Sequence, residues 1–352
     1  MHVLSSNSFS GAENVVCQII RMSKNEKSIE MVYSSPDGSI REYLDEAKIE
    51  YQPIKKINPR FLKAAIKKQR PDIIHAHDMK ASFVAALSCG EIPLVCHIHN
   101  NAFDSRKISA KSLAFLMAAN KAEHIFWVSD SAYKGYEYHD KISEKSSVLF
   151  NVIDISPLEE YINNDKDYLY DIVFVGRLTY QKNPQRFVEL INNISQRMPK
   201  VKACMLGDGE DRDTLSKSDN IKMQGFIKNP AEIMSKSKVM LMTSRWEGTP
   251  MAALEAMALG VPIVTTPVDG MRDLITNGFN GFMGQENSFL IEKTEEIINS
   301  PELREQLSKN QKETFARIND VKKYWNRISK IYHDAIQKSK VRYRNQCVEL
   351  LF

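Results

Sequence analysis

The segment KVMLMTSRWEGTPMAALEAMALGVPIVTT, residues 238–266, holds two short apolar runs separated by a helical pattern. The runs at 238–244 and 261–266 have the length and composition of buried strands. Residues 251–259 between them are apolar except for Glu255; Pro250 suits a first helical turn, and Gly260 with Pro262 is a stop signal. The segment therefore predicts a strand, a helix and a parallel strand, which is the repeating unit of an α/β sheet.

The same alternation extends along the chain in both directions. Apolar runs at 171–176, 201–207 and 221–226 complete one series, and a second series comprises residues 2–5, 29–34, 49–54, 72–77, 93–99, 124–129 and 146–151. The polar segment 154–171 separates the two series. We therefore predict two Rossmann-like α/β domains, residues 1–155 and 156–352, whose parallel sheets face a central cleft. The helical C-terminal end is able to pack back on the first domain.

Composition and motifs exclude several classes of protein. The chain has 352 residues, a net charge of +4 and five scattered cysteines without a CxxC pair, which predicts neither a disulfide framework nor a zinc site. The N-terminus lacks the regions of a signal peptide, and no apolar stretch approaches ~20 residues. The sequence GDGEDR lacks the third glycine of a dinucleotide fingerprint. We expect a cytoplasmic enzyme without a nucleic-acid partner.

Polar residues follow the predicted strands, at the sheet edge where parallel sheets bind ligands. Arg177 and Lys182 share the loop after 171–176, and two fixed cations near a helix start suit a diphosphate. The alternative is a pair of solvated basic residues. The helix N-terminus near Thr249 and Met251 also favours a phosphate or a sugar oxygen, because its N–H groups are free.

Glu255 is a charged residue on a predicted helix that is otherwise apolar. Its neighbours at three and four positions include Met251 and Leu259, and burial of an unpaired carboxylate costs several kcal/mol, or roughly that order. Side chains on a helix lean toward its N-terminus, so Glu255 can reach the pocket beside Glu247 and accept hydrogen bonds from vicinal hydroxyls. The alternative is a buried glutamate satisfied by a neighbouring group.

With its flanking segments, this region resembles the C-terminal domain of the retaining GT-B glycosyltransferases of family GT4 (glycosyl transferases group 1). The resemblance is carried by GRLTYQKN, LGDGEDRDTL and SRWEGTPMAALEAMALGVPIV, in which Glu247 and Glu255 form the family's E-x7-E motif. It extends more weakly through SGAE, DIIHAHD, PLVCHIHN, WVSDSA and LFNVID in the N-terminal half. The resemblance therefore covers most of the chain.

The resemblance implies a role for individual residues. The residues expected to act on the reacting groups are His99, Arg177, Lys182 and Glu247, with the two cations on the diphosphate and the other two on the transferred sugar. The residues expected to bind the remaining donor are Gly11, Phe226, Ile227, Gly248, Thr249, Pro250, Met251 and Glu255. Glu255 would bind the ribose, the backbone of Phe226 and Ile227 would read the base, and Gly11 would let the first loop approach the donor. His77 is a weaker candidate for the acceptor side.

The implied reaction is sugar transfer, with retention, from a UDP- or GDP-sugar to a hydroxyl of a lipid-linked or growing surface saccharide. No cofactor and no metal are expected, because local structure explains the D-x-D matches at Asp211–Asp213 and Asp165–Asp167. Two other functions stay open. A non-catalytic GT-B partner subunit would bind or stabilise an active enzyme, and a nucleotide-sugar epimerase would turn over donor without an acceptor.

Residues 51–71, YQPIKKINPRFLKAAIKKQRP, contain seven basic residues and no acidic one. In the helical part Lys63, Lys67 and Arg70 share one face, and Phe61 and Leu62 lie on the other. A basic amphipathic helix can dock on an anionic membrane, which would place the protein peripherally on the inner face of the cell membrane. The alternative is a covering helix with a solvated basic face.

Overall fold

The computed structural model describes residues 1–24, 26, 28–99, 103–162 and 167–349. It divides the chain into two compact units, of which unit 1 comprises Met1–Asn151 with Val321–Phe352 and unit 2 comprises Val152–Asp320. The sequence placed the division at residues 155/156 and allowed the terminal helices to pack back on the first domain. The structure moves the boundary by four residues and assigns the last segment to unit 1.

Unit 1 is built on a six-stranded parallel sheet with the strand order β2-β1-β3-β4-β5-β6. The strands are β1 (His2–Val3), β2 (Tyr33–Ser34), β3 (Ile74–His77), β4 (Leu94–Ile98), β5 (His124–Trp127) and β6 (Ser146–Val148). The helices between them are α1 (Gly11–Ser23), α2 (Ile40–Glu46), α3 (Pro59–Gln69), α4 (Asp78–Ala86), α5 (Ala110–Lys121) and α6 (Asp130–Lys134). The predicted strand at 49–54 forms only isolated bridges, at Tyr51 and Ile54.

Unit 2 repeats the design, with a six-stranded parallel sheet in the order β12-β11-β10-β7-β8-β9. Its strands are β7 (Tyr170–Val175), β8 (Ala203–Leu206), β9 (Ile221–Gly225), β10 (Ser237–Met242), β11 (Ile263–Thr265) and β12 (Gly281–Met283). Its helices are α7 (Glu159–Ile162), α8 (Pro184–Arg197), α9 (Ala231–Ser235), α10 (Met251–Leu259), α11 (Asp269–Arg272), α12 (Asn287–Asn299) and α13 (Pro301–Ile318). The sequence missed β12, because a three-residue edge strand flanked by glycines carries no β pattern.

The strand order of unit 2 reverses between β7 and β10, which lie side by side at the centre of the sheet. On one side of this central pair the strands follow in the order β7, β8, β9, and on the other side in the order β10, β11, β12. Ligands in such sheets bind at the carboxyl ends of the strands where the order reverses. The loops after β7 and β10 are therefore the place to look for a site.

The final helix, α14 (Val321–Glu349), belongs to unit 1. Ile328 and Tyr332 of this helix are buried, and the Tyr332 hydroxyl lies 2.6 Å from Nδ1 of His75. The Trp325 indole donates a hydrogen bond to Glu26 near the end of α1. Among the described residues, no helix is both long and apolar enough to cross a bilayer.

Candidate active site

The loops after β7 and β10 are joined by an ion pair between residues 65 positions apart. Nζ of Lys182 lies 2.5 Å from Oε1 of Glu247, and the side chains are 16% and 5% exposed. The hydroxyl of Ser244 donates to the same oxygen at 2.6 Å, and the Gln181 amide lies 3.5 Å from the other carboxylate oxygen. A paired and hydrogen-bonded carboxylate can be buried without a large penalty, and this one is fixed in orientation.

The backbone around this pair is held by further hydrogen bonds. The Thr243 hydroxyl donates to the Asn183 carbonyl at 2.9 Å, and the Arg245 guanidinium donates to the Asn183 side-chain oxygen at 3.0 Å. Arg245 also stacks over the Tyr180 ring at 4.2 Å. Asn183 precedes α8 in a left-handed conformation with φ of 52°, and Pro184 follows at the first helical position. The loop after β7 is therefore set before any ligand binds.

Two glycines allow backbone segments to approach at distances that a side chain would forbid. A Cβ atom on Gly207 would lie 1.9 Å from the Gly176 carbonyl oxygen, and one on Gly270 would lie 1.3 Å from that of Gly248. Gly207 also has φ of 139°, which favours glycine. The loops after β8 and β11 thus pack against the two loops that carry Lys182 and Glu247.

Helix α10 begins at Met251, with Pro250 as its N-cap residue and Glu247, Gly248 and Thr249 buried just before it. Within the part of the chain that the structure describes, no group accepts a hydrogen bond from the backbone N–H of Met251 or Ala252. The first turn of a helix carries a partial positive charge. This end of α10 can therefore accept an anion or a hydroxyl oxygen.

Glu255 lies one turn further along α10 and is half-buried. None of the residues that the structure describes offers it a hydrogen bond or an ion pair. Its desolvation raises the pKa of the carboxyl group to about 7. The alternative considered for Glu255, satisfaction by a neighbouring group, is not found among the described residues.

Arg177 and Phe226 are exposed side chains near the same sheet edge. Arg177 follows β7, and its guanidinium contacts no acidic group among the described residues. Phe226 follows β9 and is 58% exposed, whereas Ile227 is half-buried. Phe226 and Ile227 directly follow Gly225, the last residue of β9. The preceding strand, β8, leads into the loop that begins with Gly207. Unit 2 therefore presents five of its strand-end loops on one edge of the sheet.

In unit 1, His77 and His99 lie at the carboxyl ends of β3 and β4 and form a hydrogen bond. Nδ1 of His77 is 2.8 Å from Nε2 of His99, and both side chains are buried. The His99 backbone N–H donates to Asp78 at 3.0 Å. Gly11 is exposed at the start of α1, next to Ser10, whose hydroxyl donates to the buried Glu13 at 2.5 Å.

Three further histidines, His2, His75 and His97, share the same buried face of the sheet, and the sequence reasoning did not group them. The signal was present, because the alternation in HAH and HIH places every second residue of a strand on one face. Two triads, His2–His75–His77 and His77–His97–His99, bring their ring nitrogens within 4.8 Å of one another, a spacing that could hold a metal ion. Metal independence of the reaction stays a prediction.

The D-x-D match at Asp211–Asp213 forms a short 3-10 turn after the β8 loop. The Asp211 N–H donates to the Leu178 carbonyl at 2.9 Å, and Arg212 between the two acids pairs with Asp208 at 2.9 Å. The other match, Asp165–Asp167, lies outside the described residues except for Asp167. The first match thus has a role in holding the loop.

Two protein-family models match adjoining parts of the chain. Glycosyl transferases group 1 matches residues 159–314, and Glycosyltransferase Family 4 matches residues 10–157. Together the matches span nearly everything from residue 10 to residue 314, and their junction falls close to the boundary between the two units.

Similar proteins include enzymes that are named for the lipid-linked saccharides on which they act. The chain is 26% identical over 325 residues to the UDP-Gal:alpha-D-GlcNAc-diphosphoundecaprenol alpha-1,3-galactosyltransferase of Escherichia coli. The match covers 81% of this chain and 84% of that protein. It is 27% identical over 200 residues to the GalNAc-alpha-(1->4)-GalNAc-alpha-(1->3)-diNAcBac-PP-undecaprenol alpha-1,4-N-acetyl-D-galactosaminyltransferase of Campylobacter jejuni, and the match covers 53% of this chain and 55% of that protein.

The fold is also found in solved structures. Anabaena HepE in complex with UDP and glucose superposes with a TM-score of 0.82 at 19% identity, and the match covers 95% of this chain and 100% of that chain. The two Rossmann-like units with parallel sheets, the matched family models and the names of the relatives all indicate the same family. The chain belongs to the glycosyl transferases group 1 of family GT4, and it is a glycosyltransferase with the GT-B fold.

Proposed function

We propose that the protein transfers a sugar, with retention at the anomeric carbon, from a UDP- or GDP-sugar to a hydroxyl of a lipid-linked or growing surface saccharide. The observation that carries this proposal is the ordered set of groups on one edge of unit 2. Lys182 is paired with Glu247, and Arg177 is exposed on the same loop as Lys182. Among the described residues, the first N–H groups of α10 and the Glu255 carboxylate have no hydrogen-bond partner. The relatives from E. coli and C. jejuni act on undecaprenyl-linked saccharides, as their names state.

In this proposal the leaving diphosphate is stabilised by fixed positive charge. Arg177 and Lys182 contact its oxygens, and the N-terminus of α10 adds backbone donors from the other loop. Because the loops are already held by Thr243 and Arg245, little reorganisation accompanies donor binding. Such preorganisation is the main source of electrostatic catalysis.

The rest of the donor is bound by groups with matching chemistry. The Glu255 carboxylate accepts from the ribose hydroxyls, and the backbone at Phe226 and Ile227 contacts the base. Glu247 and His99 contact the transferred sugar. For the reaction itself we propose same-face transfer, in which the donor phosphate takes the proton of the acceptor hydroxyl, as the family resemblance implies.

A single assay separates this proposal from the two alternatives. UDP- and GDP-sugars would be screened with a panel of undecaprenyl-diphosphate-linked saccharides as acceptors, and the anomeric configuration of the product would be read by NMR. We expect a new α-linkage from an α-linked donor and little turnover without acceptor. Conversion of donor alone would identify an epimerase. Donor binding without transfer to any acceptor of the panel would favour a non-catalytic partner, and a β-linked product would contradict retention.

We also propose that unit 1 adsorbs to anionic membrane through α3 and the residues that flank it. All seven basic residues of 51–71 are exposed, and none has an acidic partner among the described residues; they are Lys55, Lys56, Arg60, Lys63, Lys67, Lys68 and Arg70. Leu62 is buried in the core of unit 1 and Phe61 packs against it, so neither is available to insert into lipid. Membrane contact by this helix would therefore be electrostatic, on the cytoplasmic face.

Reversing Lys63, Lys67 and Arg70 to Glu should lower binding to anionic vesicles at least about tenfold at low salt, since each basic residue near such a surface contributes about 1 kcal/mol. Co-sedimentation with phosphatidylglycerol vesicles measures the effect. The matched control reverses Lys200, Lys217 and Lys309, which are exposed on unit 2 and give the same net charge. Equal release by both triple variants would show that only net charge matters, and no release by either would remove α3 from the proposal.

Activity should be retained in EDTA, because Arg177, Lys182 and the start of α10 supply the positive charge that a metal supplies elsewhere. Initial rates would be measured with and without EDTA, and again after addition of Mn²⁺. We expect a change of less than about twofold. Loss of activity in EDTA with recovery in Mn²⁺ would contradict metal independence.

A further inference from the structure

Helix α5 of unit 1 carries large apolar side chains on the face that meets solvent. Leu113 is 47% exposed and Met117, one turn further along, is 60% exposed. Ile108, two residues before the helix begins, is 72% exposed. The opposite face of α5 is buried through Phe115 and Ala118 in the core of unit 1. The helix is therefore already held in place by one face, and its exposed apolar side chains have no role in that packing.

Single exposed apolar side chains are ordinary on a soluble protein, but those of unit 1 are grouped. Among its described residues, six large apolar side chains are exposed. Four of them belong to the neighbouring helices α4 and α5 or to residues next to these helices, namely Leu87, Ile108, Leu113 and Met117. The three at α5, Ile108, Leu113 and Met117, are called the apolar patch below.

The apolar patch lies on the same side of the sheet as the basic helix α3. The connections β2–β3, β3–β4 and β4–β5 all advance in one direction, and right-handed crossovers then place α3, α4 and α5 in one layer. Leu62 of α3 and Phe115 of α5 accordingly share a core cluster with Ile74 of β3. The next residue, His75, points to the other face, where it meets Tyr332 of α14. One outer surface of unit 1 thus carries both a basic helix and an apolar patch.

Positive charge borders the apolar patch. Residues 103–121 contain four basic residues and a single acidic one, Asp104, which is paired with Lys111 at 2.6 Å. The basic side chains are all exposed; they are Arg106, Lys107, Lys111 and Lys121. An anionic bilayer has the matching order of groups, with phosphates above acyl chains. A second copy of this surface would instead bring like charges together.

We propose that the apolar patch inserts among the acyl chains of an anionic phospholipid bilayer, while α3 adsorbs to the head groups of the same leaflet. The inference rests on the proposed function, in which the acceptor is lipid-linked, and it adds an apolar anchor to the electrostatic contact. Insertion is driven by burial of apolar surface, which salt does not screen, whereas the attraction of α3 is screened. The two contributions can therefore be measured separately.

Co-sedimentation with phosphatidylglycerol vesicles, at low salt and at roughly 1 M salt, separates the two contributions, since charges at the higher salt act only over about 3 Å. The variant Leu113→Gln with Met117→Gln should lose at least about tenfold in vesicle affinity and all of the salt-resistant binding. The matched control, Met223→Gln with Val341→Gln, removes two exposed apolar side chains elsewhere at the same net charge and should bind like the unaltered protein. Equal affinities of the two variants, or no salt-resistant binding by the unaltered protein, would overturn the proposal.

The depth of insertion is measured with a tryptophan placed in the patch. The emission that Met117→Trp adds should be quenched by phosphatidylglycerol with brominated acyl chains, whereas that of Val341→Trp, on α14, should not be quenched. Equal quenching at both positions would overturn the proposal. A dimer that forms without vesicles and is lost in the Leu113→Gln, Met117→Gln variant would assign the patch to a second copy instead, and would also overturn it.

Transfer assays distinguish failure of this inference from failure of the proposed function. With an undecaprenyl-diphosphate-linked saccharide in vesicles, the Leu113→Gln, Met117→Gln variant should lose at least about tenfold in kcat/KM, because enzyme and acceptor are no longer concentrated on one surface. With the same saccharide on a short, water-soluble prenyl diphosphate, it should match the unaltered protein. Equal rates of the two proteins on both acceptors would overturn the insertion. No transfer by the unaltered protein to either acceptor would overturn the proposed function, and vesicle binding would still decide the insertion.

Discussion

Arg177→Ala should lower kcat/KM by about 100- to 1,000-fold while the melting temperature stays unchanged, since removal of one preorganised donor to developing charge has effects of that size. The exposed guanidinium contacts no acidic group among the described residues, so its loss removes no internal ion pair. Steady-state rates and thermal unfolding of the same preparation measure both quantities. Lys200→Ala is the matched control, because it removes an exposed charge near the amino end of β8.

Lys182→Ala should cause a loss of activity at least as large, together with a loss of stability. The substitution leaves the buried Glu247 carboxylate with only its Ser244 and Gln181 contacts, and breaking a buried pair costs about 3–5 kcal/mol. A double variant, Lys182→Met with Glu247→Gln, removes both charges and should recover most of the stability but none of the activity. Near-normal kcat/KM in folded Arg177→Ala and Lys182→Ala would refute the diphosphate role.

Glu255→Gln should weaken binding of UDP about 10- to 100-fold and stabilise the free protein above neutral pH. The carboxylate has no internal partner among the described residues, so its ionisation in the folded state is unfavourable and its pKa is raised to about 7. The neutral amide avoids that cost but is a weaker acceptor for ribose hydroxyls. Titration with UDP and denaturant unfolding of both proteins measure the two effects.

The raised pKa of Glu255 also gives a pH dependence of defined sign. Between the ordinary pKa of 4.5 and about 7, the folded protein keeps a proton that the unfolded chain has lost. The free energy of unfolding therefore falls as the pH rises through this window, by roughly 1–3 kcal/mol. Glu255→Gln should lack this component. If Glu255→Gln instead destabilises the protein and the folded variant binds UDP as tightly as before, the glutamate is structural.

Much of unit 2 could be predicted from local pattern. The strand–helix–strand segment around α10 could be predicted because its apolar residues are continuous. Pro250 before the helix, and Gly260 and Pro262 after it, mark where the helix begins and ends. The cations and glutamates could be named from their positions after strands. That Lys182 and Glu247 lie 2.5 Å apart could not be predicted, since the contact depends on β7 and β10 being neighbours in the sheet.

Other features depend on packing that no local pattern specifies. The sequence did not single out Gly207 or Gly270, and only the observed approach of two backbones explains why a side chain there would not fit. The amphipathic pattern of 59–70 gave the helix and its basic face correctly. It could not decide whether Phe61 and Leu62 meet lipid or the sheet, and the structure places them against the core of unit 1.

The return of α14 to unit 1 has a consequence for the order of events during translation. Unit 2 is one continuous stretch, Val152–Asp320, whereas unit 1 needs residues from both ends of the chain. Domains generally fold as they emerge from the ribosome, beginning with the N-terminal one. Here the domain that is synthesised first lacks Ile328 and Tyr332 until α14 has been made, so its histidine-lined face stays uncovered while the second domain is already able to fold. Released chains that end at Asp320 should therefore hold a protease-resistant second domain and an N-terminal one that depends on chaperones.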